Sequence, residues 1–106
     1  MAYWLMLCRH RDGVAALRDQ HREAHRAHVA SGGGGVAKVL TGSALTLDDA
    51  ETATGNFGVL EAPTREAALA FAQSDPYACA GIVESIEIVA LASRFQAQRI
   101  DPLTRT

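Results

Sequence analysis

From Ala2 to Cys8 the chain reads Ala-Tyr-Trp-Leu-Met-Leu-Cys, apolar or aromatic at every position and without polar alternation. A strand with one wet face alternates, whereas a strand that does not alternate is covered on both faces. Any fold for this chain must therefore seat its first strand in the interior, with one layer packed below it and another above. The run is too short to cross a membrane, which takes about 20 apolar residues, and Cys8-Arg9-His10-Arg11 closes it. No basic segment precedes it, as a secretory leader would require, and neither Cys8 nor Cys79 sits in a C-x-x-C pair. Reduced thiols and a cytoplasmic location are expected.

Asp12-Gly13 turns the chain into a helical stretch over residues 14–30. Val14, Leu17, His21, Ala24 and His28 recur at steps of three and four, the spacing of one helix face, and Arg18, Glu23 and Arg26 belong to the wet side. Ser31 and the four glycines Gly32 to Gly35 cannot continue a helix and end it in a flexible turn. Val36 to Thr41 reads as a second strand, Gly42 to Gly55 as a polar connection around Asp48-Asp49, and Asn56 to Ala62 as a third strand. Thr64 caps a second helix carrying Ala67, Ala68, Leu69 and Phe71. Ser74-Asp75-Pro76 stops it, because a residue before proline is pushed out of the helical region. A last strand follows from Gly81 to Ala90, with Ile82, Ile86 and Ile88 on one side and Val83 and Val89 on the other. The order is βαββαβ, an α+β fold in which right-handed crossovers put both helices on one face of a four-stranded sheet. The other face needs cover, and a second copy of the chain is the economical source.

A length of 106 residues suits one domain. A net charge of −2 gives no ground for a nucleic-acid or membrane partner. Gly55-Asn56-Phe57-Gly58-Val59 echoes an RNA-binding strand but carries one aromatic where such a platform needs several. The glycine run lacks the strand–glycine–helix order and the Gly-Lys-Ser of a phosphate loop. Three histidines, His21, His25 and His28, could share one helical edge, and such spacing can hold a metal. No carboxylate or cysteine is spaced to complete a ligand set, so no metal and no cofactor are expected. Cys79 reads as a small buried residue. Asp75 before Pro76 reads as the cap of a short helical turn. That role leaves one carboxylate oxygen free for a histidine ring, though spacing alone does not select among the three.

Arg22-Glu23-Ala24-His25, Leu40-Thr41-Gly42 and Asp75-Pro76-Tyr77-Ala78-Cys79-Ala80-Gly81, in this order, resemble the YciI-like (YCII-related) family over about residues 3–90. The resemblance implies a dimeric, ferredoxin-like α+β barrel formed by residues 1–92, with residues 93–106 as a C-terminal extension. It implies a cleft in which His25 faces Asp75, with Arg22, Ser43 and Tyr77 as substrate-binding residues. Relatives that eliminate HCl from chlorinated hydroxyquinones, and muconolactone isomerase on a similar barrel, make the implied function a cofactor-independent lyase or isomerase. His25 would move the proton on a small cyclic carbonyl or hydroxyquinol, and Asp75 would fix its ring. A non-catalytic ligand-binding accessory domain is the alternative. Two departures from the family pattern stand out: the four-glycine run, and the missing proline after the last strand.

Overall fold

In the computed structural model, which describes residues 1–105, the non-alternating first segment forms β1 (Ala2–His10). It is followed by α1 (Ala15–Gly35), β2 (Lys38–Thr46), β3 (Ala53–Ala62), α2 (Arg65–Gln73), the single turn α3 (Pro76–Cys79) and β4 (Val83–Ala90). The strands form one antiparallel sheet in the order β2-β3-β1-β4, so β1 lies inside it as its composition demands. This is the ferredoxin-like arrangement. Among the described residues no helix is long and apolar enough to cross a membrane.

On the helix side Met6, Cys8, Val39, Leu60 and Ala62 of the sheet meet Ala68, Phe71 and Ala72 of α2 in one core. Thr64 accepts a hydrogen bond from the Ala67 N–H and starts α2 as the sequence leads one to expect. On the other side Leu5 stands opposite Val59 and Val89, and Leu7 opposite Phe57. Within this one chain Leu5 and Leu7 are only half-buried and Val89 is exposed.

Part of the remaining cover comes from the tail. The Leu91 N–H donates to the Tyr3 carbonyl, and the Phe95 ring lies 5.6 Å from that of Tyr3. Farther on, the Thr104 hydroxyl accepts from the Val39 N–H at 2.7 Å and donates to the Val29 carbonyl at 2.9 Å. Residues 91–105 thus run from the β4 edge to the β2 edge and tie α1 to the sheet.

Four local expectations change. Residues Gly42 to Gly55 are mostly strand, and only Leu47 to Thr52 form the turn of a hairpin. Asp49 organises that turn by accepting from the N–H groups of Glu51 and Thr52, so small polar residues that read as a loop are paired backbone. Glu84 is an extra residue between the β1 partners Val83 and Ser85, and this bulge turns Val83 to the helix side with Ile86 and Ile88. The glycine run is an ordered left-handed turn: Gly32, Gly33 and Gly34 have φ of 62°, 65° and 77°, and the Val36 N–H reaches the Gly32 carbonyl at 2.9 Å. A Cβ on Gly32 would sit 1.9 Å from the Ala37 carbonyl oxygen, so no other residue fits there. Finally, α1 is rotated from its expected face. Leu17 and Ala24 point outward, while Arg18, His21, His25, His28 and Gly32 turn inward, held by the histidine hydrogen bonds described next.

Candidate active site between α1 and the sheet

Asp75 is fixed by the backbone before any ligand is considered. Pro76 keeps it extended (φ −58°, ψ 134°), and its Oδ1 accepts the Tyr77 N–H at 2.8 Å as the cap of α3. The carboxylate then meets His25 from α1, with Nδ1 2.8 Å from Oδ2 and 3.0 Å from Oδ1. An ionised carboxylate only accepts, so Nδ1 carries a hydrogen, and in the neutral ring Nε2 keeps its lone pair. Among the described residues Nε2 has no hydrogen-bond partner.

The imidazole is also clamped from one face. The Tyr77 ring stacks on it with centroids 4.2 Å apart and planes 6° from parallel. Tyr77 is buried, and its edge packs against His10, whose Nε2–H donates to the Asn56 Oδ1 at 2.9 Å. Burial pushes the titration of His10 down, with the Asn56 hydrogen bond opposing and Arg18 adding to the effect, which favours the neutral ring. Beneath them Cys8 is pushed up to about 12 by burial and by the charge of Asp75, which leaves a thiol with no nucleophilic character.

His25 and Asp75 open onto a cavity of about 350 Å³ between α1 and the helix side of the sheet. Its walls are mainly apolar, with Met6, Val39 and Phe71 from the core, Phe57 from β3 and Leu103 from the tail. The polar contributions come from Arg18, Arg26, Asn56 and Ser43 besides the pair itself. Such a space suits a small molecule of about one ring, at the low end of ligand cavities.

The structure brings together His25, Asp75 and Ser43 at this wall. Ser43 lies opposite Phe57, and its hydroxyl donates to the Ala44 carbonyl at 2.9 Å. Tyr77 lies behind His25 and supports it instead of lining the space. Arg22 is off the cavity, exposed and paired with Asp19. Cys79, expected buried, is exposed. His28 has a different task from His25, donating Nε2–H to the Phe71 carbonyl at 2.8 Å and stacking on the Phe71 ring. Among the described residues no group of three or more His, Cys, Asp or Glu lies close enough to share a metal ion. The sequence reading missed Arg18, Asn56 and Leu103. Arg18 carried a usable signal, since it stands seven residues before His25 and hence on the same helix face.

Comparison with known proteins supplies context for this geometry. A family model described as the YCII-related domain matches residues 2–92. Among solved structures the chain is similar to the 5-chloro-2-hydroxyhydroquinone dehydrochlorinase of Burkholderia phenoliruptrix AC1100, in complex with 2,5-dihydroxybenzoquinone. The TM-score is 0.70 at 22% identity, over 85% of this chain and 93% of that one. No curated protein matches the chain.

Proposed function

The chain belongs to the YCII-related family, and from that premise we propose that it is a small cofactor-independent lyase or isomerase whose proton-transfer group is His25. The observation that carries the reading is the 2.8 Å contact from His25 Nδ1 to Asp75, which leaves Nε2 as an unpartnered base at a cavity wall. The substrate is a small cyclic carbonyl or a (chloro)hydroxyquinol-type compound, the latter class being what the structurally similar dehydrochlorinase acts on.

In an elimination, Nε2 takes a proton from a carbon beside a carbonyl. The C–H electron pair becomes the new double bond as chloride leaves the adjacent carbon. Asp75 stabilises the imidazolium, which then returns its proton to water. In an isomerisation the same proton is delivered to a second carbon instead. The Tyr77 stack and the capped carboxylate hold the base in place, so little reorganisation accompanies the transfer.

His25→Ala should lower turnover by roughly 10² to 10⁴, the usual contribution of a positioned acid or base. His21→Ala should leave it nearly unchanged. The assay is chloride release and ultraviolet absorbance over a panel of chlorinated hydroxyquinols and lactones. Equal turnover by the wild type and His25→Ala would overturn the mechanism. Ligand binding without turnover of any panel member would favour a binding module.

The chain is also inferred to pair with a second copy through the sheet face bearing Leu5, Leu7, Phe57, Val59 and Val89. Supporting this is the apolar row that crosses β3, β1 and β4 and remains partly exposed in one chain. Light scattering should give twice the chain mass at micromolar concentration, and a stable monomer would contradict the pairing.

A further inference from the structure

We propose that Leu103, held in place by the C-terminal tail, sets the length of molecule the cavity accepts, and that the end of the ligand turned away from His25 is apolar. The proposal rests on reading this cavity as the substrate site, and it adds a size limit and a polarity to the substrate class.

The first observation is where the tail lies. The family match ends at residue 92, yet Leu103 lines the cavity together with Val29, Ala30 and Val39. Val29 stands four residues after His25 on α1, about 6 Å along the helix axis at 1.5 Å per residue. A single six-membered ring nearly fills that interval. A ring seated against His25 Nε2 and pointing along α1 therefore meets Leu103 with whatever its far edge carries.

The second observation is that the tail uses up the polar backbone of this end. The Leu103 and Thr104 N–H groups donate to the Val39 carbonyl at 2.9 and 3.1 Å, and the Arg105 N–H donates to the Ala30 carbonyl at 2.8 Å. The Thr104 hydroxyl takes the Val39 N–H and gives its own hydrogen to the Val29 carbonyl. What the wall then offers a ligand here is the side chains of Val29, Ala30, Val39 and Leu103. A ligand hydroxyl turned this way would give up water and gain no partner, whereas a methyl or ethyl group would gain contact.

The third is that the wall is anchored and its tip is not. Thr104 is buried, and the glycine turn makes its seat: a Cβ on Gly32 would lie 3.2 Å from the Thr104 methyl carbon as well as 1.9 Å from the Ala37 carbonyl oxygen. The left-handed turn and the tail thus fit one another, and the backbone at residues 103–105 is tied to both α1 and β2. Leu103 itself is 43% exposed. It is an apolar side chain on a fixed backbone, half-open to the cavity, and a ligand that reaches it buries what one chain leaves wet. Leu103 is thereby a specificity residue, and it has no part in the proton transfer.

The test is binding, read by NMR titration of the full chain and independent of turnover. The probes are phenol and its 4-alkyl derivatives from methyl to hexyl, whose hydroxyl can donate to His25 Nε2. In the wild type affinity should rise by about fourfold per added carbon, then break and fall by on the order of tenfold once the chain meets Leu103. Leu103→Ala should move the break to chains about two or three carbons longer, the length removed from the wall. Leu103→Phe should move it to shorter chains. Thr104→Val, which keeps the shape and deletes the hydroxyl, should relax the break as Leu103→Ala does and speed hydrogen exchange at the Val39 N–H. The wild type should also prefer 4-ethylphenol over 4-(hydroxymethyl)phenol by on the order of tenfold, the cost of an unpaired hydroxyl.

An unbroken rise to 4-hexylphenol, the same break in the wild type and both Leu103 variants, or no saturable binding of any phenol would overturn the proposal. So would equal wild-type binding of 4-ethylphenol and 4-(hydroxymethyl)phenol, and a wild-type break retained in Thr104→Val would overturn the part given to the tail. If a variant fails to fold, the break and the ethyl preference of the wild type decide alone. His25→Ala should bind more weakly yet break at the same chain length as the wild type. That break, found together with turnover unaffected by His25→Ala, would sink the catalytic reading and leave the end wall standing.

Discussion

The nine residues of α2 bury Ala68, Phe71 and Ala72, whereas the 21 residues of α1 bury only Gly32. Both helices lie on the same face of the same sheet. What separates them is the chemistry of the side each turns inward. α2 presents methyl groups and a phenyl ring to Leu60, Met6 and Cys8, and the contact closes. α1 presents Arg18, His21, His25 and His28, which need polar partners and stand off from the apolar strands. The space left is the cavity. A helix packed for stability and a helix packed for chemistry can therefore share one sheet, and the difference is legible in what each buries.

The largest effect should come from breaking the dry side. Phe71→Ala should cost about 3–5 kcal/mol, the usual loss for a fully buried aromatic. Leu17→Ala on α1 concerns a residue that is 40% exposed and should cost about 0.5 kcal/mol or less. Urea unfolding of the two variants measures the contrast. Similar losses would mean that α1 packs as tightly as α2, and the cavity would have no structural basis.

A smaller effect sharpens the comparison through pH. His10 sits where the two regions meet, buried beside Tyr77 and lowered in its titration chiefly by that burial. In the unfolded chain it regains the ordinary imidazole value. As pH falls, the unfolded state takes the proton first, so stability is complete above the ordinary value and declines as pH drops toward the lower folded one. Unfolding midpoints followed with pH should fall less steeply in His10→Gln than in the wild type. Parallel profiles would show that His10 is not held neutral by its surroundings.

The elements themselves were readable because local signals agreed. Thr64 and Asp75-Pro76 mark helix starts with side chains that cap and a proline that fixes its predecessor, and both caps form. The unbroken apolar run set β1 inside the sheet. Other features depend on tertiary partners that no local pattern reveals. Arg18 looks like a wet-side residue until Tyr77, far along the chain, is placed beneath it. The bulge at Glu84 changes the face of Val83 through pairing with β1, which strand alternation cannot anticipate. Gly42, Ser43 and Gly55 resemble a loop because close backbone approach, not side-chain burial, explains them: a Cβ on Gly55 would lie 2.2 Å from the Cys8 carbonyl oxygen. As for the site, the resemblance to known relatives selected His25 among three histidines, a choice helical spacing left open. It pointed to Arg22, whereas the cavity wall carries Arg18 one turn earlier.

The central claim is that His25 offers an unprotonated Nε2 to the cavity because Asp75 holds the hydrogen on Nδ1. His28, three residues along the same helix, provides an internal contrast, since its Nε2–H donates to the Phe71 carbonyl. One nitrogen-15 NMR spectrum correlating ring nitrogens with ring hydrogens, taken with both imidazoles neutral, reads the two together. The account requires His25 to carry its hydrogen on Nδ1 and His28 to carry its hydrogen on Nε2. If His25 shares the His28 pattern, with Nε2 protonated and Nδ1 bare, the base does not face the cavity and the proposed site is wrong.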